Sequence, residues 1–217
     1  MDPIARATYT SDWITLIIFG SLLFVLLAKL FFYPRFLNFI ILPLNNKYIF
    51  MYNKKEKLFN WFHIFFTIFQ LLNSSLFIFL ARRAFVGMED QDHLFLFPMI
   101  LLGLFLFICL KGFFQLGNGF IFGSSQIFSE LIFKKISYLN YGGIVLFIAN
   151  IILTYVLVHS KIVTLVAFLL FIIVNVIGWV TVIKNYQKFV MNYFFYFILY
   201  LCALEIAPLI IVGNFLK

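Results

Sequence analysis

Charge is what this sequence has least of. Only 11% of its 217 residues are Asp, Glu, Lys or Arg, where a soluble domain carries about a quarter. With 65% of residues hydrophobic and a mean hydropathy of +1.08, an aqueous globular fold is excluded before any element is placed. Cysteine is almost missing as well. Cys109 and Cys202 both fall inside apolar runs, so neither reads as half of a disulfide or as a zinc ligand. Of the 3 histidines, only His63 lies within an apolar span, which leaves a membrane haem without facing axial ligands. No His-Glu-x-x-His, no Gly-x-Ser-x-Gly and no pair of transmembrane aspartates occurs. An enzyme is therefore not indicated, and no cofactor or metal is expected. The first eleven residues hold Asp2 and a single base, Arg6, and the apolar stretch after them is too long for the core of a cleavable signal peptide.

Acids are scarcer than bases, 8 against 16, for a net charge of +8. No basic stripe interleaves with aromatics outside the apolar runs, so nucleic acid is not the expected partner. In a membrane chain the same excess fixes topology and meets anionic headgroups.

What the sequence has in quantity is long apolar runs. About 20 apolar residues cross a bilayer core, and six stretches qualify: 12–33, 58–81, 94–116, 140–158, 162–183 and 193–213. The expectation is an all-α polytopic transmembrane bundle forming one integral membrane domain over 1–217. His159, Ser160 and Lys161 separate the fourth and fifth spans by a tight hairpin. The loops on one side carry nine bases (Arg35, Lys47, Lys54, Lys55, Lys57, Lys134, Lys135, Lys184, Lys188), against five on the other (Arg6, Arg82, Arg83, Lys161, Lys217). The positive-inside rule then turns loops one, three and five to the cytoplasm and both termini outward.

Two segments have amphipathic character. In 34–57, Phe36, Phe39, Ile40 and Pro43 fit a cytoplasmic interfacial helix, with Arg35, Lys54, Lys55 and Lys57 available to lipid phosphates. In 125–136, Ile127, Phe128, Leu131 and Ile132 share a face; this segment reads either as a second interfacial helix or as an extension of its span. Gly117, Gly119 and Gly123 fit neither a Walker loop nor a dinucleotide fingerprint, and read as a break after the third span. The loop Met88–His93 holds three carboxylates and an imidazole, and reads as a solvated acidic turn.

Polar residues inside spans are the place to look for function, because each is costly without a partner. Lys29, His63 and Lys111 sit near span ends, where a lysine can snorkel. Gln70, Asn73, Asn150, Asn175 and Glu205 lie deeper, at roughly 12–22 Å, and form a midplane layer. His63, Gln70, Asn73 and Ser74 share one helical face, which should point into the bundle. Glu205 is the sharpest of these. A neutral carboxyl bonded to Gln70, Asn73 or Asn150 is the expected state, and Pro208 frees the carbonyl of Leu204 beside it and kinks the helix.

The string Tyr200–Leu209, which contains Glu205 and Pro208, resembles the C-terminal signature of an uncharacterised family of Bacteroidota integral membrane proteins known only as a domain of unknown function. The resemblance implies a diderm bacterium and its inner membrane, and it implies no activity. Two functions remain open on the residues. One is an accessory or scaffold subunit that docks other membrane proteins, or a second copy, in an envelope assembly. The other is a small proton- or cation-coupled transporter or channel with Glu205 as its carboxyl. A third and weaker reading is a lipid-handling enzyme using Arg35, His63 or the basic loop on headgroups.

Overall fold

A computed structural model describes residues 12–43, 47–52, 60–86, 93–121 and 125–185. Its elements are α1 (Asp12–Phe31), α2 (Tyr33–Ile40), α3 (Lys47–Tyr52), α4 (Trp61–Val86), α5 (His93–Ile121), α6 (Ser125–Ile151), a π-helical turn (Ile152–Val156) and α7 (Lys161–Asn185). Among the described residues five helices, α1 and α4 to α7, are long and apolar enough to cross a membrane. The sixth expected span, 193–213, lies outside the described residues, as do Lys54, Lys55, Lys57, Glu205, Pro208 and the acidic loop.

Local chemistry sets the starts and stops. Asn60 caps α4, its Oδ1 accepting from the Phe62 amide at 3.3 Å. Ser160 caps α7 in the same way, accepting from Val163 N at 3.4 Å. Pro34 occupies the first turn of α2, where a missing N–H costs nothing, and its ring separates α2 from α1. Beyond Ile151 the ladder slips to i→i+5, with the Leu157 amide donating to the Ile152 carbonyl at 2.8 Å. The expected hairpin follows, and His159 turns it at φ 61°.

Ring contacts fix the direction of each helix. Trp13, at the start of α1, meets Phe79 late in α4 (5.1 Å) and Phe97 early in α5 (5.4 Å). His63, at the start of α4, meets Phe133 early in α6 (4.7 Å). Thus α4 and α6 run parallel, with α1, α5 and α7 antiparallel to them. One end of the bundle carries α2 and α3, and the other carries the 159–161 hairpin. More than half of the α4 span is buried (56%) but only 6% of the α5 span, so α4 with α6 forms the centre and α5 the rim.

Of the two readings of 125–136, the structure has the extension: residues 125–136 and the expected span from 140 form one helix, and the membrane-length segment runs Ser129–Val156. Nothing in that stretch breaks the hydrogen-bond ladder, and the helix carries Lys134 and Lys135 within it, Lys134 buried and Lys135 half-buried. Gly142 and Gly143 sit mid-helix. A Cβ on Gly143 would lie 3.0 Å from Gln70 Cα, so glycine is what lets α4 and α6 close together there. The glycine cluster straddles the end of α5: Gly117 and Gly119 are inside it, and Gly123 lies outside the described residues.

Candidate functional site: the α4–α6 polar seam

On α4, His63, Thr67, Gln70 and Ser74 recur at spacings of four and three residues, the pattern of one helix face. On α6, Asn140, Gly143, Phe147 and Asn150 do the same. The two rows meet. Asn140 Nδ2 donates to Thr67 Oγ1 at 3.3 Å. One α4 turn further, Gln70 Nε2 donates to Ser74 Oγ at 2.9 Å. At the deepest point Asn150 Nδ2 reaches both the Asn73 carbonyl (3.0 Å) and Asn73 Oδ1 (3.3 Å), while Asn73 Nδ2 donates to the Phe69 carbonyl (2.9 Å). Gln70, Asn73, Asn140 and Asn150 are all buried. In hydrocarbon such amides have no solvent to fall back on, so pairing across the seam ties the two helices together.

The pairing is incomplete. Gln70 Oε1 and Asn150 Oδ1 are buried acceptors without a donor. Because Asn150 Nδ2 is held by a backbone carbonyl, which only accepts, the orientation of that amide is fixed and its oxygen is the atom left over. Asn175 stands apart from the hydrogen-bonded seam. Its Nδ2 donates to its own helix, to the Phe171 carbonyl at 2.8 Å, and it packs near Gly142.

At the α2/α3 end the seam runs into a second cluster. Arg35 is 4% exposed, its guanidinium 4.9 Å from the Tyr52 ring and 5.1 Å from that of Phe62. The headgroup contact expected of Arg35 is therefore not what the structure displays: this side chain points inward. Burial costs a guanidinium less than an ammonium, since it is more weakly hydrated and stacks on rings. Arg35 Nε donates to Tyr48 Oη at 3.3 Å, and Tyr48 Oη lies 3.2 Å from His63 Nε2. Arginine cannot accept, so Tyr48 Oη accepts from Arg35 and shares one hydrogen bond with His63 Nε2, whose direction follows the ring's tautomer. His63 Nδ1 is buried and has no partner. Within the expected interfacial segment 34–57 the structure has α2, with Phe39 fully buried against Phe62 and Phe66 instead of lying in the interface, and Leu37 and Ile40 facing out.

The remaining basic residues divide by position. Lys29 is exposed at the end of α1, as snorkelling requires. Lys111 and Lys135 approach each other between α5 and α6, their ammonium groups over Phe107 (5.6 Å) and Trp179 (5.2 Å). Among the described residues no group of three or more His, Cys, Asp or Glu is placed to hold a metal.

Sequence reading found His63, Gln70, Asn73, Ser74 and Asn150. It missed Thr67 and Asn140, although the 63–67–70–74 spacing contains the first, and the second was set aside by starting the span too late. Tyr48 carried no signal, because only the return of α3 onto α4 brings it near His63.

No curated protein and no solved structure matches this chain. A family does: a match extends over residues 14–216, nearly the whole chain and all of the seam just described, so the chain belongs to the family of the Domain of unknown function (DUF4271).

Proposed function

We propose that this chain is a non-enzymatic accessory or scaffold subunit of the bacterial inner membrane, holding partner membrane proteins in an envelope assembly. The observation that carries the reading is where the deep polar groups go. Thr67 bonds Asn140, and Asn73 bonds Asn150, across α4–α6. That is a fixed structural tie. The rim offers what a partner helix needs. Along α5, Met99, Gly103, Leu106, Leu110, Phe113 and Gly117 recur at four and three residues, all exposed, with nothing within 4 Å of a Cβ at either glycine. Alternating spacing with small residues is the pattern of a helix-packing seam. The excess of bases at the α2/α3 end supports a cytoplasmic location for that end and both termini on the periplasmic side.

The test is purification from native membranes in a mild detergent. A membrane partner in fixed stoichiometry is expected, and Gly103→Leu should release it. Repeated recovery of the chain alone, under conditions that preserve other assemblies of that membrane, overturns the reading.

A second reading has one observation in its favour. Gln70 Oε1 and Asn150 Oδ1 are unpaired acceptors at the level where Glu205 is expected, and a protonated carboxyl or a cation would satisfy them. A small proton- or cation-coupled transporter would use that carboxyl. Glu205→Gln keeps its shape and removes its charge; proton-dependent flux in vesicles that is unchanged by this substitution rejects the transporter.

A further inference from the structure

At the hairpin end of the seam, the π-helical turn opens a small cavity. Its floor is apolar, formed by Ile14, Leu80 and Leu153, and its polar groups are Arg83, Thr154 and His159. The volume is about 20 Å³, enough for one water-sized atom.

Thr154 is the unusual member. Thr164 and Thr181 both return their hydroxyl protons to the carbonyl four residues back, at 3.0 Å and 2.9 Å, the ordinary solution for threonine in a helix. Thr154 lies in the turn where the ladder slips to i→i+5, and its Oγ1 is buried with no partner. A buried hydroxyl without a partner loses the hydrogen bonds it would make in water.

Arg83 supplies the charge. It lies in the last turn of α4, and among the described residues no carboxylate bonds it. His159 stands opposite. Burial and then the nearby Arg83 hold its imidazole below its usual range, so the guanidinium charge is felt at the ring.

We propose that this cavity is an anion site that takes one oxygen of a phosphate group. Arg83 provides the fork and Thr154 the inner hydrogen bond. Two features favour phosphate over a halide. A guanidinium matches two phosphate oxygens at once. The site lies at the end of the spans, the level of lipid phosphates. A lipid phosphodiester and free inorganic phosphate share this chemistry, and they are separated by experiment.

The experiment uses the full chain in a phospholipid-free detergent and follows the His159 ring protons by NMR at pH 7.5. Added inorganic phosphate, or phosphatidylglycerol in the same micelles, should shift them saturably. A response to the lipid alone assigns the site to a headgroup, and a response to phosphate alone assigns it to the free ion. Arg83→Gln should raise the half-saturating concentration at least tenfold and Thr154→Val about threefold, with Thr154→Ser near wild type. Thr154→Val leaves the cation in place, so it reports on the site even if Arg83→Gln fails to fold. No response to either phosphate source, or an equal response to chloride, overturns the assignment. So does a response that appears only after Glu89, Asp90 and Asp92 are neutralised, because a carboxylate of that loop would then be the occupant.

Discussion

The α4–α6 seam and the outer row of α5 share a spacing and differ in everything else. Each presents residues at alternating intervals of four and three, and each includes glycine. Between α4 and α6 the row holds His63, Thr67, Gln70 and Ser74 against Asn140, Gly143 and Asn150, and is buried apart from the half-buried Thr67. On α5 it holds Met99, Leu106, Leu110 and Phe113, exposed at 70%, 51%, 56% and 74%. In water the apolar row would be the one to drive association. In a bilayer lipid tails solvate it well, and the polar row binds the more tightly because its amides have no other partner. The difference teaches that in this chain spacing makes a surface able to pack, whereas polar content and close approach decide which surface is closed inside one chain and which is left for another.

Glycine gives the widest separation between the two rows. A leucine at Gly143 drives its Cβ against the Gln70 backbone, which cannot swing aside as a side chain can. Gly143→Leu should cost about 3 kcal/mol or more, the upper range of overpacking, and yield little protein that survives size-exclusion chromatography. Gly103→Leu meets open space and should leave the thermal midpoint of the purified chain unchanged. Equal midpoints for the two variants would erase the distinction between rows.

The next largest effect is expected where the seam meets the Arg35 cluster. Tyr48→Phe removes the hydroxyl that accepts from Arg35 and bonds His63, while keeping the ring that stacks on Phe133. Stranding buried polar groups in this way costs about 1–3 kcal/mol. Detergent thermal unfolding should show the loss, and His63→Phe combined with it should recover part, since one stranded group is then gone. Additive losses would mean that the Tyr48–His63 bond is not formed. Smaller again is Asn150→Leu, which removes the α4–α6 tie at its deepest point. Membrane hydrogen bonds of this kind contribute about 0.6 kcal/mol, with a maximum near 1.7. A loss well above that range would show that Asn150 does more than join helices, and would favour a hydrated or ion-binding layer.

How much of this was legible beforehand follows from what each feature depends on. The spans and the 159–161 hairpin are local: run length and a three-residue polar gap set them, and both are in the sequence. The α4 face was legible because His63, Gln70, Asn73 and Ser74 lie on one helix. Its partner was only partly so. Lys134 and Lys135 look like a loop to any composition rule, yet α6 carries them, so Asn140 was mistaken for a span boundary. The Arg35–Tyr48–His63 chain joins three separate elements. The π-helical turn has no breaker to announce it, since Ile152 to Val156 contains neither glycine nor proline.

His159 offers the finest probe of the hairpin end. Its φ of 61° lies in the left-handed region, where asparagine is tolerated and a branched residue is not. His159→Asn therefore removes the imidazole without straining the turn. Burial first, and then Arg83, hold the folded-state pKa of His159 below its usual 6.5. A lowered value means that the folded chain resists protonation more than the unfolded chain does. The stability His159 contributes is then complete above 6.5 and declines as pH falls through that value toward the folded one. The group is largely exposed, so solvent screens it and the effect is small. Wild type should lose slightly more thermal stability than His159→Asn between pH 7.5 and pH 5.5, with the two alike at the upper value. An anion seated beside Arg83 would offset the repulsion, the smaller of the two causes, and so reduce that difference. Measuring the pair with and without phosphate thus asks whether this end of the bundle, unlike the polar seam, is completed from outside the chain.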